Sequence, residues 1–141
     1  MTNRSFVVLF AAVFCLAGIA SAQQKNVEKV PIQHTSAASG SQMYVAYCAA
    51  CHGKEGKGDG PAASALKVPP TDLTTLAKRN SGKFPRNEVY DTISGERSVA
   101  AHGSKDMPVW GTLFHSIDAH ESISMMRLKN LTDYIETLQA K

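Results

Sequence analysis

A chain of 141 residues with 43% apolar residues suits one small domain with one core. Its formal net charge of +3 comes from scattered basic residues and gives no sign of the basic face that nucleic-acid binders carry. Only three cysteines are present, so the place of each needs a reason.

The first residues, MTNRS, carry one positive charge on Arg4, and an apolar run from Phe6 to Ala20 follows. Ala20-Ser21-Ala22 then stands before Gln23. A basic start, an apolar stretch and an A-x-A site together describe a secretory leader over residues 1–22. An uncleaved anchor is the alternative, but the run falls short of the roughly 20 apolar residues that a membrane-spanning helix needs. Cys15 lies within this run and reads as apolar filler that leaves with the leader. Export would place the remaining thiols, Cys48 and Cys51, where disulfides can form. Loss of the leader removes Arg4 and no acid, so the mature chain stays slightly basic.

Residues 23–39 are polar, with a proline and a run of small residues, and read as a flexible segment ahead of a domain at residues 40–141. From Ser41 to Ala50 good helix formers run without a breaker, and Met43, Tyr44, Tyr47, Cys48 and Cys51 share one helical face. Gly53, Gly56, Gly58 and Gly60 then enforce a loop. Asp72 to Lys78 is expected as a short helix. Asn87 to Ser94 is expected as another, capped at Asn87 and stopped by Gly95. The last helix carries Leu128, Leu131, Ile135 and Leu138 at spacings of three and four, with Asp118 and Glu121 resembling a capping box upstream. No segment sustains strand alternation. The expectation is an all-α domain of about four short helices and long loops. Such a chain buries little apolar area, while ordering each residue costs roughly 1–2 kcal/mol in backbone entropy. A bound apolar cofactor would supply the missing core.

The stretch Cys48-Ala49-Ala50-Cys51-His52 says which. A redox dithiol normally sits at a helix N-terminus, where the dipole lowers the thiol pKa, and Cys48 lies late in a helix. A zinc site needs four ligands, and His34, His102, His115 and His120 show no paired spacing to complete one. A disulfide across one helical turn staples nothing distant. Covalent haem attachment meets the geometry: two thiols on one helical face for the porphyrin's vinyl groups, and His52 placed for the iron.

With CAACH preceded by Gly40 and Tyr44, and with Leu131 and Tyr134 in the last helix, the chain resembles the class I c-type cytochromes. It is most similar to their small single-haem bacterial members, over roughly residues 40–141. The resemblance implies a cytochrome c fold in which the N-terminal helix crosses the C-terminal one. It implies one haem c bound through Cys48 and Cys51, with His52 as an axial ligand. It also implies a proline carbonyl accepting the histidine's Nδ1–H, for which Pro61 is the candidate and Pro69 and Pro70 are alternatives. The run Met107-Pro108-Val109-Trp110 resembles the family's distal motif, which makes Met107 the second iron ligand and packs Trp110 against the haem edge. A thioether is a soft ligand suited to ferrous iron. His102 is the rival ligand, while Met43, Met125 and Met126 read as core filler. Lys54, Lys57, Lys67, Lys83 and Lys105 either ring a docking face or are simply solvated.

These readings describe a monomeric, periplasmic single-electron carrier, not an enzyme, that meets redox proteins transiently and binds no nucleic acid. A dedicated electron-entry subunit of an oxidoreductase complex, including a membrane redox complex, is the alternative. An open-site haem enzyme or sensor follows if Met107 does not ligate.

Overall fold

The computed structural model describes residues 33–96, 107–118 and 120–140. The leader, Cys15, His102 and Lys105 therefore lie outside the described residues.

Helix α1 covers residues 40–52 in three pieces. It is α-helical over Gly40–Met43, widens to a π-helix over Tyr44–Cys48 and returns to α over Ala49–His52. Ser39 caps it, its hydroxyl accepting from the Gln42 amide at 3.3 Å. The widened segment ends at the first cysteine, in keeping with the tendency of π-bulges to sit at functional positions.

A long loop follows, carrying 3₁₀ turns at Ala63–Ala65 and Leu73–Thr75. Asp72 starts the second turn, its carboxylate accepting from the backbone and hydroxyl of Thr74. Helix α2 is the single turn Leu76–Arg79, so the helix expected from Asp72 is part 3₁₀ and part α. Helix α3, Arg86–Ser94, ends at Gly95 as expected, but Asn87 lies inside it and Pro85 stands at its N-cap without a side-chain bond.

Helix α4, Trp110–Ile117, was not among the expected elements. Helix α5, Glu121–Thr137, is the longest. Its capping box does not form: His120 is the N-cap, and the Asp118 carboxylate instead accepts from Arg127 Nε at 2.6 Å. Among the described residues there are helices and no strand, so the chain is all-α.

The core forms where α1 crosses α5. A Cβ on Gly40 would lie 2.1 Å from the Asn130 carbonyl oxygen and 2.8 Å from Tyr134 Cβ, so only glycine lets the two backbones meet there. One turn on, the Tyr44 and Tyr134 rings pack at 5.3 Å. Met43, Tyr44, Phe114 and Leu131 are fully enclosed, with Ile93, Leu128 and Ile135 beside them. Met43 is thus core, as expected. Met125 and Met126 are not: they are 55% and 41% exposed, because the buried face of α5 is set by Leu128, Leu131 and Ile135.

Two ionic links tie the smaller helices to α5. Arg86 at the start of α3 pairs with Asp133 and Glu136. Arg127, buried, joins Asp118 at the end of α4 and lies 6.0 Å over the Phe114 ring. Residues 33–39, expected as part of a flexible segment, are fastened to this core. Tyr47 Oη donates to the Gln33 carbonyl at 2.6 Å, Arg127 donates to Thr35 Oγ1 at 3.1 Å, and Asn130 donates to the Ala37 carbonyl at 2.9 Å.

Candidate functional site

The last turns of α1 bring Cys48, Cys51 and His52 to one wall of an apolar cleft. The loop supplies another wall from Leu66, Pro70 and Leu73, and α3 a third from Val89 and Ile93. Met107 and Trp110 close the outline, so all five residues expected at the haem and iron other than Pro61 face one space. Counting its open mouth, the cleft holds about 1200 Å³ of empty space. Its walls are mostly apolar side chains drawn from several elements, which suits an apolar group rather than a single ion.

Both cysteines are free thiols. Burial, with Cys51 nearby, pushes the Cys48 thiol up to about 12. A redox-active dithiol needs the opposite shift, so Cys48 is not poised as a thiolate nucleophile. Among the described residues no three His, Cys, Asp or Glu side chains cluster to hold a metal ion. Zinc therefore has no ligand set there.

His52 is oriented by a backbone carbonyl, but not the expected one. Its Nδ1 lies 3.0 Å from the Thr71 oxygen. A carbonyl only accepts, so Nδ1 carries the proton and the Nε2 lone pair is left free. Burial lowers the His52 pKa, outweighing the opposite pull of that hydrogen bond, and so keeps the ring neutral as a metal ligand must be.

Pro61 has no part in this. It is exposed and lines a separate shallow groove. The Gly60 amide donates to the Cys51 carbonyl and the Ala62 amide to that of Ala50, which folds this stretch back along the end of α1. The loop meets the His52 ring at Thr71. Gly58 makes that approach possible: it sits at φ +81°, its amide donates to the His52 carbonyl at 2.8 Å, and a Cβ there would lie 2.4 Å from the Pro70 oxygen.

Trp110 is 9% exposed and packs with Tyr47 at 5.3 Å and Phe114 at 6.0 Å. Tyr47 belongs to the cleft as well. Sequence reasoning saw it only as one member of a helical face, although its place directly before Cys48 was a usable signal. Thr71 carried no such signal, since its contribution is a main-chain oxygen. Lys54, Lys57, Lys67 and Lys83 are exposed and none lines the cleft, while Lys57 pairs with Glu55 at 2.6 Å. His34, His115 and His120 are exposed too.

Free thiols, a neutral imidazole with an open Nε2 and a thioether on one apolar cleft fit a covalently held haem. Residues 35–135 match the family described as "Cytochrome C oxidase, cbb3-type, subunit III". No curated protein and no solved structure matches the chain. By that match over most of its length, and by the CAACH cleft that the match encloses, the chain belongs to this family of haem-binding, electron-transferring cytochrome c domains.

Proposed function

We propose that the protein is an exported single-electron carrier holding one haem c through thioethers to Cys48 and Cys51, with His52 and Met107 as axial ligands. The observation that carries this reading is the His52 ring. Its Nδ1–H is committed to Thr71 O at 3.0 Å, which leaves Nε2 as the only ring donor atom on a cleft shared with Met107.

When bound, the haem supplies reversible Fe(II)/Fe(III) chemistry, one electron at a time. The chain's part is to hold and surround it. Cys48 and Cys51 tether the group, so it is not lost between encounters. The Thr71 carbonyl fixes the tautomer and rotation of His52 and raises its basicity. Met107 offers a neutral, soft sulfur that leaves no charge behind in an apolar cleft. Val89, Ile93 and Leu73 exclude water and lower the local dielectric. Pro108 and Val109, both exposed beside Met107, leave an apolar rim for small, short-lived contacts with redox partners.

The apolar run from Phe6 to Ala20 and the Ala-Ser-Ala site support export to the periplasm and cleavage before Gln23. The family's description names an oxidase subunit, which favours a second reading: permanent service as the electron-entry subunit of one such complex. A free carrier should purify as a soluble monomer, and a subunit should come away with its enzyme.

Acid–acetone extraction and intact mass test the central proposal. The colour should stay with the polypeptide, and the mass should equal residues 23–141 plus one haem. Extractable haem, or a mass without it, would overturn the reading.

A further inference from the structure

The chain beyond helix α5 returns to the histidine side of the cleft. Half-buried Gln139 spends its whole side-chain amide there. Its Oε1 accepts from the Ala77 amide at 2.9 Å, and its Nε2 donates to the carbonyls of Leu73 at 2.8 Å and Ile135 at 3.0 Å. The next residue continues the clasp, the Ala140 amide donating to the Thr74 carbonyl at 2.9 Å. One long-range clasp thus spans residues 73–77, across sequence separations of 62 and 66.

That segment begins two residues after Thr71, whose carbonyl orients His52. It is also pinned from the other side, the Leu73 amide donating to the Gly56 carbonyl at 2.7 Å. The Asp72 carbonyl accepts from Arg79 at 3.0 Å and from Thr75 Oγ1 at 3.1 Å. A helix end needs its own last carbonyls satisfied, and glycine or water does that in most proteins. Gln139 serves one such carbonyl, that of Ile135, and also bonds both an amide and a carbonyl of another segment.

We propose that Gln139 is a positioning residue for the haem site, holding residues 71–77 so that the Thr71 carbonyl keeps its bond to His52. The inference rests on the proposed function, in which His52 ligates the iron. A hydrogen bond donated by Nδ1–H makes the imidazole more basic, which favours Fe(III) and lowers the reduction potential. Releasing the clasp weakens that bond, so the potential rises. A cleft that merely loosened and admitted water would move it the other way, because a wetter site stabilises the more charged oxidised state. The sign of the shift separates positioning from general stability.

The test uses the full-length holoprotein and the variant Gln139→Met, which keeps the side chain's length without its hydrogen bonds. Thr137→Ala is the control, since that hydroxyl donates only within its own helix, to Tyr134. Reduction potentials are read by spectroelectrochemistry, and solvent exchange of the His52 Nδ1 proton by NMR. Gln139→Met should raise the potential and speed the exchange about fivefold, the scale of one net hydrogen bond, and Thr137→Ala should do neither. Gln139→Glu, which keeps an acceptor for Ala77 but loses the donor to Leu73, should move both in the same direction and serves if the Met variant fails to fold. An unchanged or lowered potential, or an unchanged exchange rate, would overturn the inference and leave the proposed function standing. A wild-type protein whose haem iron is not bound by His52 would sink both.

Discussion

A thioether has no proton to lose and no charge to offer, so Met107 can act on a bound iron only through its sulfur lone pairs. Replacing Met107 with Ala should abolish the weak near-infrared absorption of a sulfur–iron bond, lower the potential and let carbon monoxide bind the reduced form. Met126→Ala provides the contrast: this side chain is 41% exposed, so its loss should change stability by no more than about 0.5 kcal/mol and leave the spectrum alone. Absorption that survived Met107→Ala would remove Met107 from the iron. The residues that the sequence brings forward and the structure sets on the cleft share one property, that their proposed roles belong to their side chains. The spacing of Cys48, Cys51 and His52 encodes a shape, and Met107 stands out through the resemblance of Met107-Pro108-Val109-Trp110 to the family's distal motif. Thr71 was illegible because every residue has a carbonyl, and which one meets His52 depends on how Gly58 lets the loop close. Pro61 was chosen by residue type, where the deciding quantity was the path of the backbone.

Between elements, the crossing of α1 on α5 is the contact with least slack. Alanine at position 40 would gain roughly 1 kcal/mol in helix propensity over glycine. Its Cβ, however, would stand 2.1 Å from a backbone oxygen that cannot rotate away. Overpacking of this kind costs about 1–3 kcal/mol, so strain outweighs propensity. Gly40→Ala should therefore lower the melting temperature of the haem-loaded protein, and Gly40→Val should lower it further. Thermal unfolding of the two variants checks this, and a melting temperature at or above wild type would show that the helices can part at no cost. This crossing was readable from Gly40, Tyr44, Leu131 and Tyr134 through their resemblance to the family's N-terminal and C-terminal helices, not from helical spacing alone. Helix α4 was readable too, with Trp110, Leu113, Phe114 and Ile117 at spacings of three and four, although it is missing from the expected elements. The supposed capping box failed for a tertiary reason. Asp118 found the buried guanidinium of Arg127, a stronger partner than a backbone amide at the start of α5.

For the whole molecule, the question is what keeps so loop-rich a chain folded. The enclosed apolar residues cluster at the α1, α4 and α5 contacts, whereas Leu66, Leu73, Leu76 and Val89 face the cleft only partly covered by protein. A group that fills the cleft buries those side chains at roughly 25 cal/mol per Å² of apolar surface. Without it they face water, while the long loop from Gly53 to Asp72 must still be ordered at roughly 1–2 kcal/mol per residue. The haem-free chain should accordingly lose cooperative folding. In the variant Cys48→Ala/Cys51→Ala, which cannot form either thioether, helical circular dichroism should fall and the sharp thermal transition should disappear. Added free haem should restore part of both, since His52 and the cleft walls remain. That restoration separates the loss of core from any effect of the two substitutions on α1 itself. A double variant that melted as sharply as wild type without haem would show that the protein contacts alone suffice, and the argument that a sparse apolar chain requires a bound core would then fail for this molecule.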